Sequence, residues 1–291
     1  MINYTFIIPH KNTPELLKKC LDSIPSRDDL EIIVVDNNSS PDIVDFDKYP
    51  GIGRSGVRIV RDNNSIGGGG ARNTGLALAK GRWVLFADAD DYYTEGYLSV
   101  LDKYVNKDLD AVYFNFNRIE KGQSSPLPYT LRFLANAFFD GNIASDELKF
   151  KLTVPWNKMV KRDLLEKYHV SFEDCVVAND LLYTYQIGYY SRKTIVESAK
   201  IYNYVINNNS VSTKRYRDNN YYLCSFQHYF QNNEFYNFIG HPEWKRSFIL
   251  RFVAILKKNG FLQLCMAISV LFNNYRMIIS NRFLFVDRLK Q

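Results

Sequence analysis

Three carboxylates in four positions, Asp88-Ala89-Asp90-Asp91, directly follow the apolar run Trp83-Val84-Leu85-Phe86-Ala87. A strand that ends this way sets its acids at the carboxyl edge of a sheet. Like charges there repel unless a cation or hydrogen-bond donors compensate. Carboxylate oxygens suit hard divalent ions, Mg²⁺ or Mn²⁺, shared with substrate phosphates. In a solvated turn the same acids would do no chemistry, so it is the preceding strand that makes them candidates. Asp36 ends a second run, Glu31-Ile32-Ile33-Val34-Val35-Asp36, and can accept hydrogen bonds from a base or a ribose. Gly67-Gly68-Gly69-Gly70 lead into Ala71-Arg72-Asn73-Thr74-Gly75. That run reads either as a flexible turn or as bare backbone whose amides, with Arg72, meet anionic oxygens. No Lys-Ser/Thr follows, which excludes a Walker loop.

These residues need a frame. Short apolar runs at residues 4–9, 31–36, 57–61, 82–87 and 111–117 read as strands. Between them lie helical patterns: one opening at Thr13-Pro14-Glu15 with a hydroxyl N-cap, one over 71–80 and one over 98–105. This alternation predicts an α/β fold with a mostly parallel sheet flanked by helices, and a ligand crevice beyond the carboxyl ends of the strands. Two more strands are expected near 154–160 and 195–205, with a helix after Asn179. Gly51-Ile52-Gly53-Arg54-Ser55-Gly56 spells a dinucleotide motif, but it enters a strand rather than a helix and reads as a plain loop. The chain from about 218 on reads as helices. Its most apolar stretch, residues 261–272, is too short to span a bilayer and is expected to be an interfacial or core helix.

The chain has 291 residues, 46% apolar and 23% charged, which excludes a disordered or fibrous protein. No 20–50-residue period repeats, so a solenoid or propeller is excluded too. Cys20, Cys175, Cys224 and Cys265 form no close pair, so neither a disulfide framework nor a cysteine zinc site is expected, and a reducing cytosol is the default. The first residues lack a basic segment followed by a long apolar one, so no signal peptide is expected. Of the net charge of +6, residues 241–291 carry +7, from nine Lys/Arg against two Asp/Glu, and the rest sum to −1. A basic, aromatic tail on a near-neutral body points to an anionic partner. It has no nucleic-acid recognition motif, so nucleic acid is not the expected partner.

Taken together, the segments resemble family 2 glycosyltransferases of the GT-A fold. They are Phe6-Ile7-Ile8-Pro9, Val34-Val35-Asp36-Asn37-Asn38-Ser39, Asn63-Asn64 with the glycines, Arg72-Asn73-x-Gly75, Phe86-Ala87-Asp88-Ala89-Asp90-Asp91, Pro155-Trp156-Asn157-Lys158-Met159, the Phe172 segment and Ile201-Tyr202-Asn203-Tyr204. The likeness runs over about residues 3–213. It implies a catalytic domain over 1–215, its nucleotide-sugar half ending near 117 and its acceptor half following, with a helical region over 216–291. It implies an inverting, metal-dependent transfer from a nucleotide-diphosphate sugar, UDP-linked, to a growing or lipid-linked glycan in bacterial surface-polysaccharide assembly. The backbone near Pro9, with Asp36 and Asn38, would hold the base. Arg72 would meet the base or phosphates, Asp88 and Ala89 the ribose or metal shell, and Asp90 the metal.

The family's Glu-Asp pair, with its catalytic Asp, opens a helix eight to ten residues after an apolar-x-Phe segment. Here Val170-Ser171-Phe172 is followed at that distance by Asn179-Asp180. Asp180 aligns with the catalytic base and Asn179 replaces the Glu, with Glu173-Asp174 as the fallback. The plainer reading makes Asn179 an N-cap and Asp180 a complement to the helix dipole. Trp156, Asn157, Lys158 and Asp91 are the candidate acceptor side, a flat indole suiting a sugar ring. A core tryptophan is the alternative. His10 reads as a spacer. The C-terminal helices either pack on the catalytic domain or lie on the inner membrane face, Lys257, Lys258, Arg276, Arg282, Arg288 and Lys290 meeting anionic lipid. That would make the protein cytoplasmic with a peripheral membrane contact. The competing function is a non-catalytic module that binds a sugar nucleotide or partner. A sugar-phosphate nucleotidyltransferase is disfavoured by Pro9-His10-Lys11-Asn12, and a processive synthase by the lack of a multi-span region.

Overall fold

A computed structural model describes residues 1–126, 137–138, 142, 144–206 and 217–290. The chain forms two compact units, Met1–Asp174 with Asn179–Asn207, and Cys175–Ala178 with Asn208–Gln291. Residue 215, the expected domain boundary, lies outside the described residues.

The first unit is built on β1 (Tyr4–His10), whose residues Phe6, Ile7 and Ile8 are fully buried. Such a run is stable only with both sheet faces covered. β1 pairs in parallel with β2 (Leu30–Asp36) on one side and with β4 (Trp83–Phe86) on the other, and β3 (Val57–Arg61) lies outside β2. The chain therefore builds outward from β1 in one direction and then returns to its other side. This reversal opens a crevice at the carboxyl ends of β1 and β4, where open α/β sheets bind ligands. Beyond β4 come β8 (Lys158–Lys161), β6 (Ala111–Glu120), β9 (Thr194–Val205) and β5 (Tyr92–Tyr93), with β7 (Gln123–Ser124) paired to β6. β8 runs antiparallel to both neighbours and β5 antiparallel to β9, so the sheet is mixed rather than uniformly parallel.

The helices of this unit are α1 (Pro14–Asp22), α2 (Gly67–Leu76), α3 (Tyr97–Asp102), α4 (Asp146–Lys151), α5 (Arg162–Lys167) and α6 (Leu181–Tyr190). Three differ from expectation in instructive ways. The Thr13 side chain makes no cap, and its N–H instead donates to His10 Nε2 at 3.1 Å. α2 begins at Gly67, four residues before the expected start, because the glycines are part of the helix. β8 begins at Lys158 rather than near 154, because Pro155 has no N–H to give a ladder. The Gly51–Gly56 segment is a loop, Gly51 and Gly56 holding φ of +92° and +77° just before β3.

The second unit is helical: α7 (Asn219–Phe238), α8 (Phe248–Asn259), α9 (Phe261–Ser280) and α10 (Leu284–Lys290). Tyr222 and Phe226 of α7 form a small core with Ala267, Val270, Leu271 and Ile278 of α9. α9 continues eight residues past the apolar stretch expected to bound it. The helical run Phe261–Lys290, which continues α9, is long and apolar enough to cross a membrane by length and composition. The cysteine expectation does not hold, since Cys175 and Cys224 are disulfide-bonded while Cys20 is buried and Cys265 exposed. A separation of 49 positions says nothing about distance in the fold, so the spacing loses its force as an argument for a reducing compartment.

Candidate active site

The carboxyl ends of β1 and β2 meet through Asp36. His10 lies opposite Asp36 in the ladder, and the two side chains are buried 3.2 Å apart. Because His10 Nε2 accepts from Thr13, its Nδ1 carries the proton, which faces both Asp36 Oδ2 at 3.2 Å and the Tyr49 hydroxyl at 2.5 Å. The Tyr49 hydroxyl donates to Asp36 Oδ2 at 2.9 Å, and the Ser39 N–H donates to Oδ1 at 3.0 Å. Burial alone would raise the Asp36 carboxyl, but these donors outweigh it and hold the pKa at about 2. Asp36 is thus occupied by the chain's own donors. It shapes the loop after β2, where Asn38 is exposed in the left-handed region at φ +60°. His10 does more than space the strand end, and Tyr49 carried no sequence signal at all.

The acidic loop follows β4 and is pinned to β9. The Asp88 N–H donates to the Tyr202 hydroxyl at 2.9 Å, and the Val205 N–H donates to Asp91 Oδ1 at 2.7 Å. Asp91 is 1% exposed, and its Oδ2 has no partner among the described residues. Burial, with Asp88 and Asp90 adding, pushes the Asp91 carboxyl well above the usual range. Asp90 is pushed up to about 6, first by burial and then by Asp88. Ala89 is buried between them. The loop is therefore short of positive charge. No group of three or more His, Cys, Asp or Glu is arranged to hold an ion among the described residues. One or two carboxylates, with phosphates and water completing the shell, match the way Mg²⁺ is usually held. The residues fit such a cation.

Arg72 of α2 supplies the nearest fixed positive charge. It is buried, and it donates to Asp88 Oδ1 at 2.5 Å and to Asn179 Oδ1 at 3.3 Å. Its Nε has no partner among the described residues. Asn179 therefore does not cap α6. Asp180 takes that position and makes no side-chain capping bond, so capping does not explain its side chain. Asp174, the fallback base, accepts the Ile66 N–H at 2.6 Å and serves the start of α2. Asn73, next to Arg72, pairs with the Phe172 backbone in both directions, at 3.0 and 2.8 Å.

The glycines of α2 explain this proximity. A Cβ on Gly69 would stand 2.2 Å from the Glu173 carbonyl oxygen and 2.7 Å from Asn179 Cβ. On Gly70 it would stand 2.4 Å from Ser65 Cβ. They let the helix touch the chain before Asp180, and the turn reading is corrected.

Trp156, Asn157 and Lys158 lie behind the site. Trp156 is 3% exposed and stacks on Tyr202 at 4.8 Å and on Tyr204 at 5.5 Å. Its ring is a core element that backs the tyrosine holding Asp88. Lys158 is fully buried and donates to the Val154 carbonyl. Burial pulls its pKa down to about 7, with the Asp180 carboxylate opposing. Asn157 is 1% exposed, and both atoms of its amide are without partners among the described residues.

Comparisons with known proteins agree with this layout. The model of glycosyl transferase family 2 matches residues 5–169. The uncharacterized glycosyltransferase YibD of Escherichia coli is 27% identical over 234 residues, covering 77% of this chain and 67% of YibD. The putative glycosyltransferase EpsH of Bacillus subtilis is 24% identical, covering 71% of this chain and 61% of EpsH, so this chain spans under two thirds of that relative. Among solved structures, Staphylococcus aureus TarS 1–349 in complex with UDP-GlcNAc superposes with a TM-score of 0.65 at 17% identity, covering 99% of this chain and 89% of that one. That likeness shows a shared GT-A fold. The family match spans more than half the chain, and the matched relatives are glycosyltransferases: the chain belongs to glycosyl transferase family 2 and is a glycosyltransferase.

Proposed function

We propose that the protein transfers a sugar from a UDP-linked donor to a hydroxyl of a glycan or lipid-linked glycan, inverting the anomeric carbon with the help of a divalent cation. The observation that carries this reading is Arg72, which bonds Asp88 on one side and Asn179 on the other. It ties the acidic loop to the residue before Asp180, so metal, leaving group and base share one crevice. The Pro9 backbone and the Asn38 loop that Asp36 holds line the base side. Asp88 and Ala89 meet the ribose side, and Asp90 ligates the cation. When bound, the cation neutralises charge that develops on the departing diphosphate. Asp180 accepts the proton of the attacking hydroxyl, a role that supplies about 10²–10⁴-fold. Buried Lys158 attracts that carboxylate from behind, and the Asn157 amide, without partners among the described residues, is the candidate group for the acceptor.

The neighbours support the finer points. TarS was crystallised with UDP-GlcNAc, and a Pyrobaculum calidifontis mannosyltransferase with GDP-Man and Mn²⁺, at TM-scores of 0.65 and 0.54. A Campylobacter jejuni relative, 36% identical over 120 residues covering 40% of this chain and 38% of its own, is named as a β-1,3-glucosyltransferase acting on an undecaprenol-linked glycan. A β product supports inversion of an α-configured donor, and a lipid-linked acceptor supports work at the cytoplasmic face of a membrane.

The test is a melting curve with UDP-, GDP- and dTDP-sugars, each with and without Mn²⁺. Donor at a hundred times its Kd stabilises by about 2.7 kcal/mol, a Tm rise of roughly 5–10 °C. The expected result is a rise with a UDP-sugar that needs Mn²⁺. A rise without metal would remove the cation, and a rise with only GDP- or dTDP-sugars would replace the donor.

A further inference from the structure

The second unit contains an acid-free, basic stretch of chain with many exposed apolar side chains. Between Trp244 and Val286 there is no Asp or Glu, against seven Lys/Arg, of which Arg251 is half-buried and donates to Ser225 while Arg282 lies 3.9 Å from Glu234. Phe248, Phe252 and Ile255 of α8 face the small core. The opposite face of α8 shows Ile249, Leu250, Val253 and Leu256, the first two 74% and 66% exposed. Ile249, Val253 and Leu256 fall at i, i+4 and i+7, one stripe along the helix. Gly260, at φ +91°, turns the chain into α9, which opens with Phe261 and Leu262 at 69% and 83% exposed. Exposed Lys257 sits on the α8 stripe, and exposed Arg276 on the outer side of α9. Isolated exposed leucines need no explanation, but six exposed apolar side chains along one helix and the corner after it, beside exposed Lys257 and Arg276, do.

We infer that the outer face of α8, together with the α8–α9 corner around Phe261 and Leu262, docks on an anionic phospholipid bilayer. The argument is charge complementarity joined to apolar exposure. Basic side chains meet lipid phosphates while the apolar stripe enters the headgroup boundary. Lys and Arg suit this contact because their stems can lie along apolar surface with the charge held in the polar layer. The geometry selects lying flat over spanning. α9 has 20 residues, about 30 Å and so the hydrocarbon thickness. However, Ala267, Val270, Leu271 and Ile278 of α9 are the core against α7, and spanning would strip that core. Gln263 is also committed, accepting from the Arg217 N–H at 2.9 Å and the Tyr222 hydroxyl at 3.0 Å. The inference rests on the second unit alone and stands whatever donor or acceptor the first unit takes.

The experiment is flotation of the full chain with vesicles of phosphatidylcholine alone or with 30% phosphatidylglycerol, at low and high salt. The wild type is expected to float with the anionic vesicles at low salt and to be partly released by salt. Lys257→Gln with Arg276→Gln removes two charges. At about fivefold per charge, binding should weaken about 25-fold. Phe261→Ser with Leu262→Ser should abolish the salt-resistant fraction. All four side chains are exposed, so folding is retained, and unchanged circular dichroism and melting check it. No flotation of the wild type, or flotation unaffected by both double variants, overturns the inference. So does light scattering that shows a dimer which Phe261→Ser with Leu262→Ser breaks into monomers, since the face would then belong to a second copy.

Discussion

Asp180 and Asp36 are both carboxylates at element ends, one at the start of α6 and the other at the end of β2. Asp36 is filled by donors from His10, Tyr49 and Ser39. Asp180 precedes a helix without capping it. Replacing Asp180 with the isosteric Asn is therefore expected to leave the fold and the nucleotide-induced melting shift intact while turnover falls by about 10²–10⁴. Assaying transfer beside donor binding checks this, and normal turnover in the variant would remove Asp180 from the chemistry. For Asp36 the prediction concerns acid stability. Its folded pKa of about 2 lies below the ordinary 3.8, so its contribution is present above about pH 4 and is lost as pH falls toward 2. That amounts to about 2 kcal/mol at neutral pH. Asp36→Asn should be less stable than wild type at pH 7, and the gap should close between pH 4 and 2 in denaturant titrations. Parallel pH profiles would show that Asp36 contributes nothing of this kind. Residue types announced both positions. The partners did not show, because Tyr49 and Asp36 stand 13 positions apart in a loop without a motif.

At the scale of elements, α2 is the decisive piece. A helix that begins Gly-Gly-Gly-Gly forgoes about 1 kcal/mol at each glycine relative to alanine. Local propensity therefore reads the run as a turn. The structure shows what offsets the cost. Gly69 and Gly70 let the helix lie against Glu173, Asp174 and Asn179, while Arg72 and Asn73 bolt it there. Gly69→Ala would press Cβ on a backbone oxygen and on Asn179. It is expected to cost about 1–3 kcal/mol as overpacking and to shift the chain ahead of Asp180, so activity should drop more than the melting point suggests. Gly68 is the milder comparison, since its added Cβ would come no nearer than 3.2 Å to the Arg72 guanidinium and would meet no backbone atom. There the gain in helix propensity should leave stability unchanged or raised. Equal melting points for the two variants would refute the packing account. The strands were far more legible. Those at 4–10, 30–36 and 57–61 fall within a residue of their apolar runs, and for the first two the reason is that a strand buried on both faces tolerates little else.

At the scale of the whole molecule, the uneven charge of the chain follows its division into two units. The acid-rich chemistry sits in the sheet unit, and the acid-free basic stretch from Trp244 to Val286 in the helical one. By itself, the amino-acid sequence determined the α/β class, the strands that meet at the crevice, and the order of the acidic, glycine and Asn-Asp segments. Those properties are local or periodic, and they survive in one dimension. Tertiary structure alone decided that Trp156 is core, that Asp174 serves the start of α2, that Cys175 meets Cys224, and that Ile249, Leu250, Val253 and Leu256 of α8 stand exposed. Each of these depends on which distant segments come within a few ångströms, a matter of sheet order and helix packing rather than of spacing along the chain.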